Sequence, residues 1–326
     1  MDPTLVLPRA VPHTPPIGAD HIDPGQIRGT MRERDMTELQ SLRLSTGVDL
    51  DVAISGDPAH PPVILLHGFP ESHRTWRHIA PDLARDHYVI APDQRGYARS
   101  SKPEGVANYT PDKIVADLLA LADQLKIDRF TLVGHDWGGA VAWMAALQHP
   151  DRIERLVIVN APHPLVFQRT IFDDPEQRKA SQYIRRFRDT SIDQGLTGTG
   201  LEKFLGSTFA HHVTQAIAGK DKAAYLDEWS QPGAMTAMLN WYRASAIVVP
   251  AMDETPPRPA FLDAPFPPMK MPVLVIWGMR DTALLPSQLD LADYVPELTI
   301  EKVDSGHFVP WEKPDAVIAA MRRWGI

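Results

Sequence analysis

Residues 132–141 read LVGHDWGGAV. An apolar run meets a turn flanked by Gly134 and Gly138, and a stretch of small apolar residues follows. Two glycines at this spacing allow a backbone turn sharp enough to lift the residue between them, Asp136, off the end of a buried strand. The N–H groups and positive dipole end of the next helix then lie beneath it. Taken alone, Asp136 has two readings. It can be the N-cap of that helix, which aspartate does well, or a reactive carboxylate held at the apex of the turn. The decision lies in the rest of the chain.

Around this stretch, PVILLHG (62–68), YVIAPD (88–93), FTLVGH (130–135) and RLVIVNA (155–161) are short apolar runs typical of parallel strands buried on both faces. LRLST (42–46) and DLDVAIS (49–55) alternate as half-buried strands. Helical patterns separate them. PDKIVADLLALADQLKI follows a Thr110 cap with Pro111 at the first helical position, and WGGAVAWMAALQHP is an apolar helix stopped by Pro150. Strand and helix alternating in this way predict an α/β fold: a mostly parallel sheet with helices on both faces. After NAPHP (160–164) the alternation stops. RKASQYIRRFRD, LEKFLGSTF and AMTAMLNWYRASAIV read as helices without a strand, over a span too long for a plain loop. Residues 163–268 are therefore expected to form an inserted helical cap. The core is expected over 36–162 and 269–326, resuming at VLVIWG (273–278) and LTIEKV (298–303) and closing with the helix PDAVIAAMRRW. Residues 1–35 are proline-rich and lack apolar periodicity, so they are read as a surface arm. GLTGTG (195–200) has no strand before it and is read as a turn, not a phosphate loop.

Composition removes several classes of function. Acidic residues number 41 against 33 basic ones, for a formal charge of −8 without any basic block, so nucleic acid is not an expected partner. The chain has no cysteine, which excludes disulfides, thiolate metal sites and a Cys nucleophile, and fits a reducing compartment. No apolar run reaches the roughly 18 residues that a membrane span requires, and MDPTLVLPRA lacks the pattern of a signal segment. A soluble, cytoplasmic protein without membrane association is the expectation. The 13 histidines show no metal-ligand spacing, so no metal site is expected; His135 and His163 are read as structural or solvent-facing.

Two later motifs stand where a reactive carboxylate needs partners. WGMRD puts Asp281 just past a buried strand, and DSGHFVPWEKP puts His307 in a glycine-preceded loop after the last strand. Singly, Asp281 reads as a helix cap and His307 as a loop histidine. As an ordered set, nucleophile, acid and histidine follow the chain order of a strand–elbow–helix hydrolase. Upstream, LLHGFPESHRTW ends a strand in a His-Gly-Phe-Pro turn, from which the backbone N–H of Phe69 can join that of Trp137 as an oxyanion hole.

Together, HGFPESHRTW, GHDWGGAVAW, NAPHP, LNWYR and SGHFVPWEKP resemble the α/β-hydrolase-fold epoxide hydrolases over nearly the whole chain beyond the arm. The resemblance implies Asp136 as nucleophile, His307 as base oriented by Asp281, and two cap tyrosines that hold the epoxide oxygen. Tyr242 in LNWYR matches the second tyrosine. Tyr183 in SQYIRRF is the match for the first, with Tyr225 in AAYLDEW in reserve. The resemblance further implies a cis peptide bond between Phe69 and Pro70, and substrate contacts from His67, Pro70 and Trp241. Phe308 and the proline-rich arm depart from the family's better-known members, which bears on substrate shape.

Residue chemistry independently favours an electrophilic saturated carbon as the target. A serine that attacked such a carbon would be left as an inert ether. An aspartate forms an ester that water can cleave. An epoxide departs as an alkoxide and gains from a phenol donor, whereas a halide needs only N–H donors in a dry cradle. A haloalkane or haloacetate dehalogenase is therefore the competing enzyme. The haloacetate enzymes carry arginines just after the nucleophile, and residues 137–143 contain none. A non-catalytic ligand-binding relative would have no use for the base. The expectation is an enzyme that takes a small epoxide and water, needs no cofactor, and works as a monomer or homodimer.

Overall fold

Along each central strand, apolar side chains alternate between two separate cores, as a period of two requires when both faces of a sheet are covered. Ile64 and Leu66 enter one core, with Leu132, Leu156, Ile158 and Val275. Val63 and Leu65 enter the other, with Val133, Val157, Leu274 and Ile276. The computed structural model describes residues 38–217 and 219–326; the arm expected over residues 1–35 lies outside the described residues. The strands are β1 Glu38–Arg43, β2 Asp49–Ser55, β3 Pro62–Leu66, β4 Tyr88–Pro92, β5 Phe130–His135, β6 Ile153–Val159, β7 Val273–Gly278 and β8 Leu298–Val303. They form one sheet in the order β1-β2-β4-β3-β5-β6-β7-β8. β2 pairs antiparallel with β1 and β4, and every pairing from β4 through β8 is parallel.

Helices α1 Ala80–Leu83, α2 Pro111–Gln124 and α3 Trp137–Gln148 alternate with the strands, and α10 Val309–Glu312 and α11 Pro314–Arg323 follow the last one. Leu118 and Leu121 of α2 and Val141 and Ala142 of α3 pack in the first core. Leu83 of α1 and Val317 and Met321 of α11 pack in the second. Between β6 and β7 the chain runs through α4 Pro164–Asp173, α5 Pro175–Ala180, α6 Gln182–Arg188, α7 Thr199–His212, α8 Gly219–Trp229 and α9 Ala234–Ala244. Among the described residues, no helix is long and apolar enough to cross a membrane.

Several boundaries differ from the sequence expectation. The first strand ends at Arg43 instead of running through LRLST, because Gly47 at φ 86° closes a turn in which the Leu44 N–H bonds the Val48 carbonyl at 2.9 Å. RKASQYIRRFRD is two helices that break at Ser181. AMTAMLNWYRASAIV stops being helical at Ala244, where Arg188 donates to the carbonyls of Tyr242 (2.9 Å) and Ser245 (3.0 Å) and so takes up acceptors the helix end leaves open. Thr110 stands at the N-cap of α2 with extended backbone, but its side chain makes no cap bond to that helix.

Because β3, β5, β7 and β8 are parallel, their carboxyl ends meet at one edge of the sheet. The turn after Leu66, the elbow after His135 and the loops after Gly278 and Val303 gather there, at the edge where open α/β sheets bind ligands.

Candidate active site

At the tip of β5, Asp136 adopts φ 50° and ψ −120°. A residue with a β-carbon holds such a conformation at a cost of about 1–3 kcal/mol, and only where its surroundings impose it. The neighbouring glycines show what imposes it. A β-carbon on Gly134 would collide with the Gly138 carbonyl oxygen, and one on Gly138 with that of Leu66. Strand, turn and helix approach too closely for any other residue. Asp136 occupies the N-cap position of α3, yet its side chain caps nothing. Its Oδ1 accepts the backbone N–H of Phe69 at 2.7 Å, and its Oδ2 lies 3.5 Å from His307 Nε2. The helix-cap reading therefore does not describe this side chain. The Phe69–Pro70 peptide bond is cis.

His307 comes from the loop between β8 and α10. Its Nδ1 pairs with Asp281 Oδ2 at 2.7 Å, and its backbone N–H donates to the His212 carbonyl at 2.7 Å. Asp281 is buried and well satisfied. Oδ1 accepts the N–H groups of Ala283 (2.8 Å) and Leu284 (3.0 Å), and Oδ2 also accepts the side-chain amide of Asn160 (2.7 Å). Burial alone would raise the Asp281 carboxyl. The charge of His307 and these hydrogen bonds outweigh it and hold the group below the usual carboxylate range. Burial would likewise lower His307, but Asp281 first and Asp136 with it push the imidazole well above its ordinary value. Asp136 is held low against its own burial by His307, then by the charge of His135 and the Phe69 N–H. These shifts all run in the direction that favours two ionised carboxylates around a protonated imidazole.

A cavity of about 310 Å³ opens over Asp136. Trp137, Tyr183 and Tyr242 line it near the carboxylate, and Met144, Phe167, Ile184, Ile247 and Leu284 are among its apolar walls. α6 brings Tyr183 and α9 brings Tyr242, with ring centroids 6.0 Å apart. Burial, then the negative charge of Asp136, pushes both phenols above the ordinary tyrosine value, so both are neutral in the resting site. Tyr225 goes elsewhere: it is fully buried and donates to Glu71 Oε1 at 3.0 Å. Of the two tyrosines left open by sequence, Tyr183 is the one that shares a cavity with Asp136 and Tyr242.

His67, Pro70 and Trp241, expected to contact substrate, are not among the residues that line this cavity. His67 is occupied on both ring nitrogens, by the Gly68 carbonyl (3.0 Å) and the Gln94 N–H (3.1 Å). The Pro70 carbonyl accepts the Trp229 indole N–H at 2.7 Å, and the Trp241 indole donates to the Arg95 carbonyl at 3.0 Å. All three stand behind the lining, where their polar groups are already used.

Sequence reading missed two supports, Asn160 and Glu312, and leaves a third, His135, between structural and solvent-facing. Asn160, with φ 40°, orients Asp281 through its side-chain N–H₂ and accepts the Gly278 N–H on its oxygen at 2.7 Å. It opens the quoted NAPHP motif, so the signal was present. Glu312 accepts the N–H groups of Phe308 (3.1 Å) and Thr214 (2.6 Å), which bind the histidine loop to the segment after α7. His135 is wholly buried, with Nε2 3.0 Å from the His307 carbonyl and Nδ1 3.3 Å from Glu71 Oε2. Among the described residues, no cluster of His, Asp and Glu could hold a metal ion.

Compared with known proteins, the chain matches the family of the alpha/beta hydrolase fold over residues 61–314. A solved structure reported among novel epoxide hydrolases of the alpha/beta hydrolases superfamily in metagenomes from hot environments is 46% identical. The match covers 89% of this chain and 98% of that one, with a TM-score of 0.81. Epoxide hydrolase A of Mycobacterium tuberculosis is 31% identical, over 85% of this chain and 94% of its own. AB hydrolase superfamily protein YfhM of Bacillus subtilis is 34% identical, over 84% of this chain and 93% of its own.

Proposed function

Because the chain belongs to the α/β-hydrolase fold family, among its epoxide hydrolases, we propose that it opens an epoxide to a vicinal diol through an ester formed on Asp136. The observation that carries this reading is the convergence on Asp136: the carboxylate and two neutral phenols line one largely apolar cavity, and the His307–Asp281 pair reaches the same carboxylate, with His307 Nε2 3.5 Å from its Oδ2. In this reading residues 163–268 are the cap and 36–162 with 269–326 the core. The cysteine-free sequence goes with a cytoplasmic setting.

Asp136 Oδ2 attacks one epoxide carbon. The C–O bond breaks, and the leaving oxygen takes a proton from Tyr183 or Tyr242. Attack also neutralises Asp136, whose charge is one cause of the tyrosines' raised values. The phenols thus become better acids as the alkoxide forms. The same neutralisation removes one of the two carboxylates that hold the proton on His307. That proton restores the phenol, and His307 becomes a neutral base. It then deprotonates water, the hydroxide adds to the ester carbonyl carbon, and the charge gathers on Oδ1, where the N–H groups of Phe69 and Trp137 stabilise it. Collapse releases the diol oxygen, which takes the proton from His307, and the new carboxylic acid returns its own proton to the imidazole. Epoxide plus water becomes diol, and the resting charges are restored.

Turnover in ¹⁸O-labelled water, followed by mass spectrometry of the Asp136 peptide, tests the reading. Label accumulates in that peptide over repeated turnovers if the ester forms there. Its absence while diol is produced would rule out covalent catalysis.

A further inference from the structure

We propose that α8, a cap helix that does not line the catalytic cavity, is a strut that positions the oxyanion turn at residues 68–71, with Trp229 as its main positioning residue. The proposal rests on the covalent reading above.

Asp221, Tyr225, Glu228 and Trp229 follow one another at helical spacing, so they lie on one face of α8. Each has a partner in the single segment 70–77. Trp229 Nε1 donates to the Pro70 carbonyl at 2.7 Å, and the Tyr225 hydroxyl donates to Glu71 at 3.0 Å. Arg74 donates to Glu228 at 2.6 Å, and Arg77 to Asp221 at 3.0 Å. The two contacts nearest the turn, those of Tyr225 and Trp229, are buried, where a hydrogen bond is stiff and its loss is felt. The strut has its own backing. Phe209 stacks on Tyr225 (5.8 Å) and Trp229 (6.3 Å) and packs on Phe308 (4.8 Å), the residue after His307.

Trp229 grips the carbonyl one residue beyond the Phe69 N–H that bonds Asp136 Oδ1. If Oδ2 forms the ester, Oδ1 carries the charge of the tetrahedral intermediate. An error in the placement of that N–H therefore weakens hydrolysis, in which charge grows on Oδ1. It leaves alkylation, in which charge on the carboxylate declines, nearly untouched. A helix that contributes only stability would not separate the two steps.

The test uses full-length Trp229→Phe, which keeps the aromatic stack and removes the N–H, and Tyr225→Phe, which removes one hydroxyl. Both steps are followed by rapid quench and intact-mass detection of the ester, with styrene oxide as the probe. Trp229→Phe is expected to slow ester hydrolysis roughly tenfold, a part of the ~100- to 1,000-fold that loss of a whole oxyanion donor costs. Alkylation stays within about twofold, so the ester accumulates; Tyr225→Phe shifts the same ratio in the same direction by less. Equal loss in both steps, or unchanged hydrolysis in both variants, would overturn the strut. If the native enzyme makes diol with no ester at any time, the covalent reading has failed instead. Thermal melts identify misfolding of Trp229→Phe, in which case Tyr225→Phe alone decides.

Discussion

His307 Nε2 lies 3.5 Å from Asp136 Oδ2, while the Nδ1 of the same ring is 2.7 Å from Asp281 Oδ2. The imidazole is thus anchored to Asp281 and only charge-paired with Asp136, whose outer oxygen stays available to the cavity. In the proposed mechanism, esterification would break the looser link and spare the tighter one.

Replacing His307 by Gln should leave alkylation possible and block hydrolysis, because the imidazole is asked to act on the ester. Substrate should convert the variant to a stable adduct, seen as one added substrate mass. Full turnover, or no adduct with a substrate the native enzyme opens, would remove His307 from the role of base.

pH should separate the two steps. Asp136 is held below the usual carboxylate range, so alkylation should persist into mild acid. His307 keeps Asp281 beside it after esterification, so falling pH keeps it protonated and inactive as a base. The fraction of enzyme trapped as ester during turnover should therefore rise as pH falls from about 8 to about 5. Rapid-quench mass spectrometry across that range checks the trend, and an ester fraction that falls in acid would contradict the assignment.

Tyr242→Phe and Tyr183→Phe should each slow epoxide opening by roughly 10- to 1,000-fold, because each removes a donor whose partner gains charge only as the ring opens. Tyr225→Phe should leave ring opening near the native rate, since its hydroxyl is committed to Glu71. A haloalkane probe, which leaves without a proton, should respond far less to the first two changes. Equal losses on both probes would assign the tyrosines to packing alone.

His163 supplies a stability test away from the chemistry. It is buried among Trp143, Phe266 and Tyr294, and among the described residues neither ring nitrogen has a hydrogen-bond partner. Burial, with the charge of Arg169, lowers it to about 4 from 6.5. The unfolded chain takes up this proton at the ordinary value and the folded protein does not, so stability is lost as pH falls from 6.5 to about 4 and levels off below. His163→Phe should flatten that part of the melting-temperature profile, and an unchanged profile would show that the site charges without cost.

Local pattern carried the architecture: apolar runs of strand length, prolines and glycines at helix ends, and the glycines at 134 and 138 act within a few residues of themselves. The chain order Asp136, Asp281, His307 was legible for the same reason, since each residue sits just past a strand in a parallel sheet, and parallel strands deliver their carboxyl ends to one edge. The choice of Tyr183 over Tyr225 depended on where two helices of similar composition pack, which no local pattern encodes. So did the withdrawal of His67 and Trp241 behind the cavity wall, and the support of Asp281 by Asn160 from 121 positions away. Those are contacts between elements far apart in the chain, chosen by which polar groups burial leaves in need of a partner, and only the tertiary structure decides them.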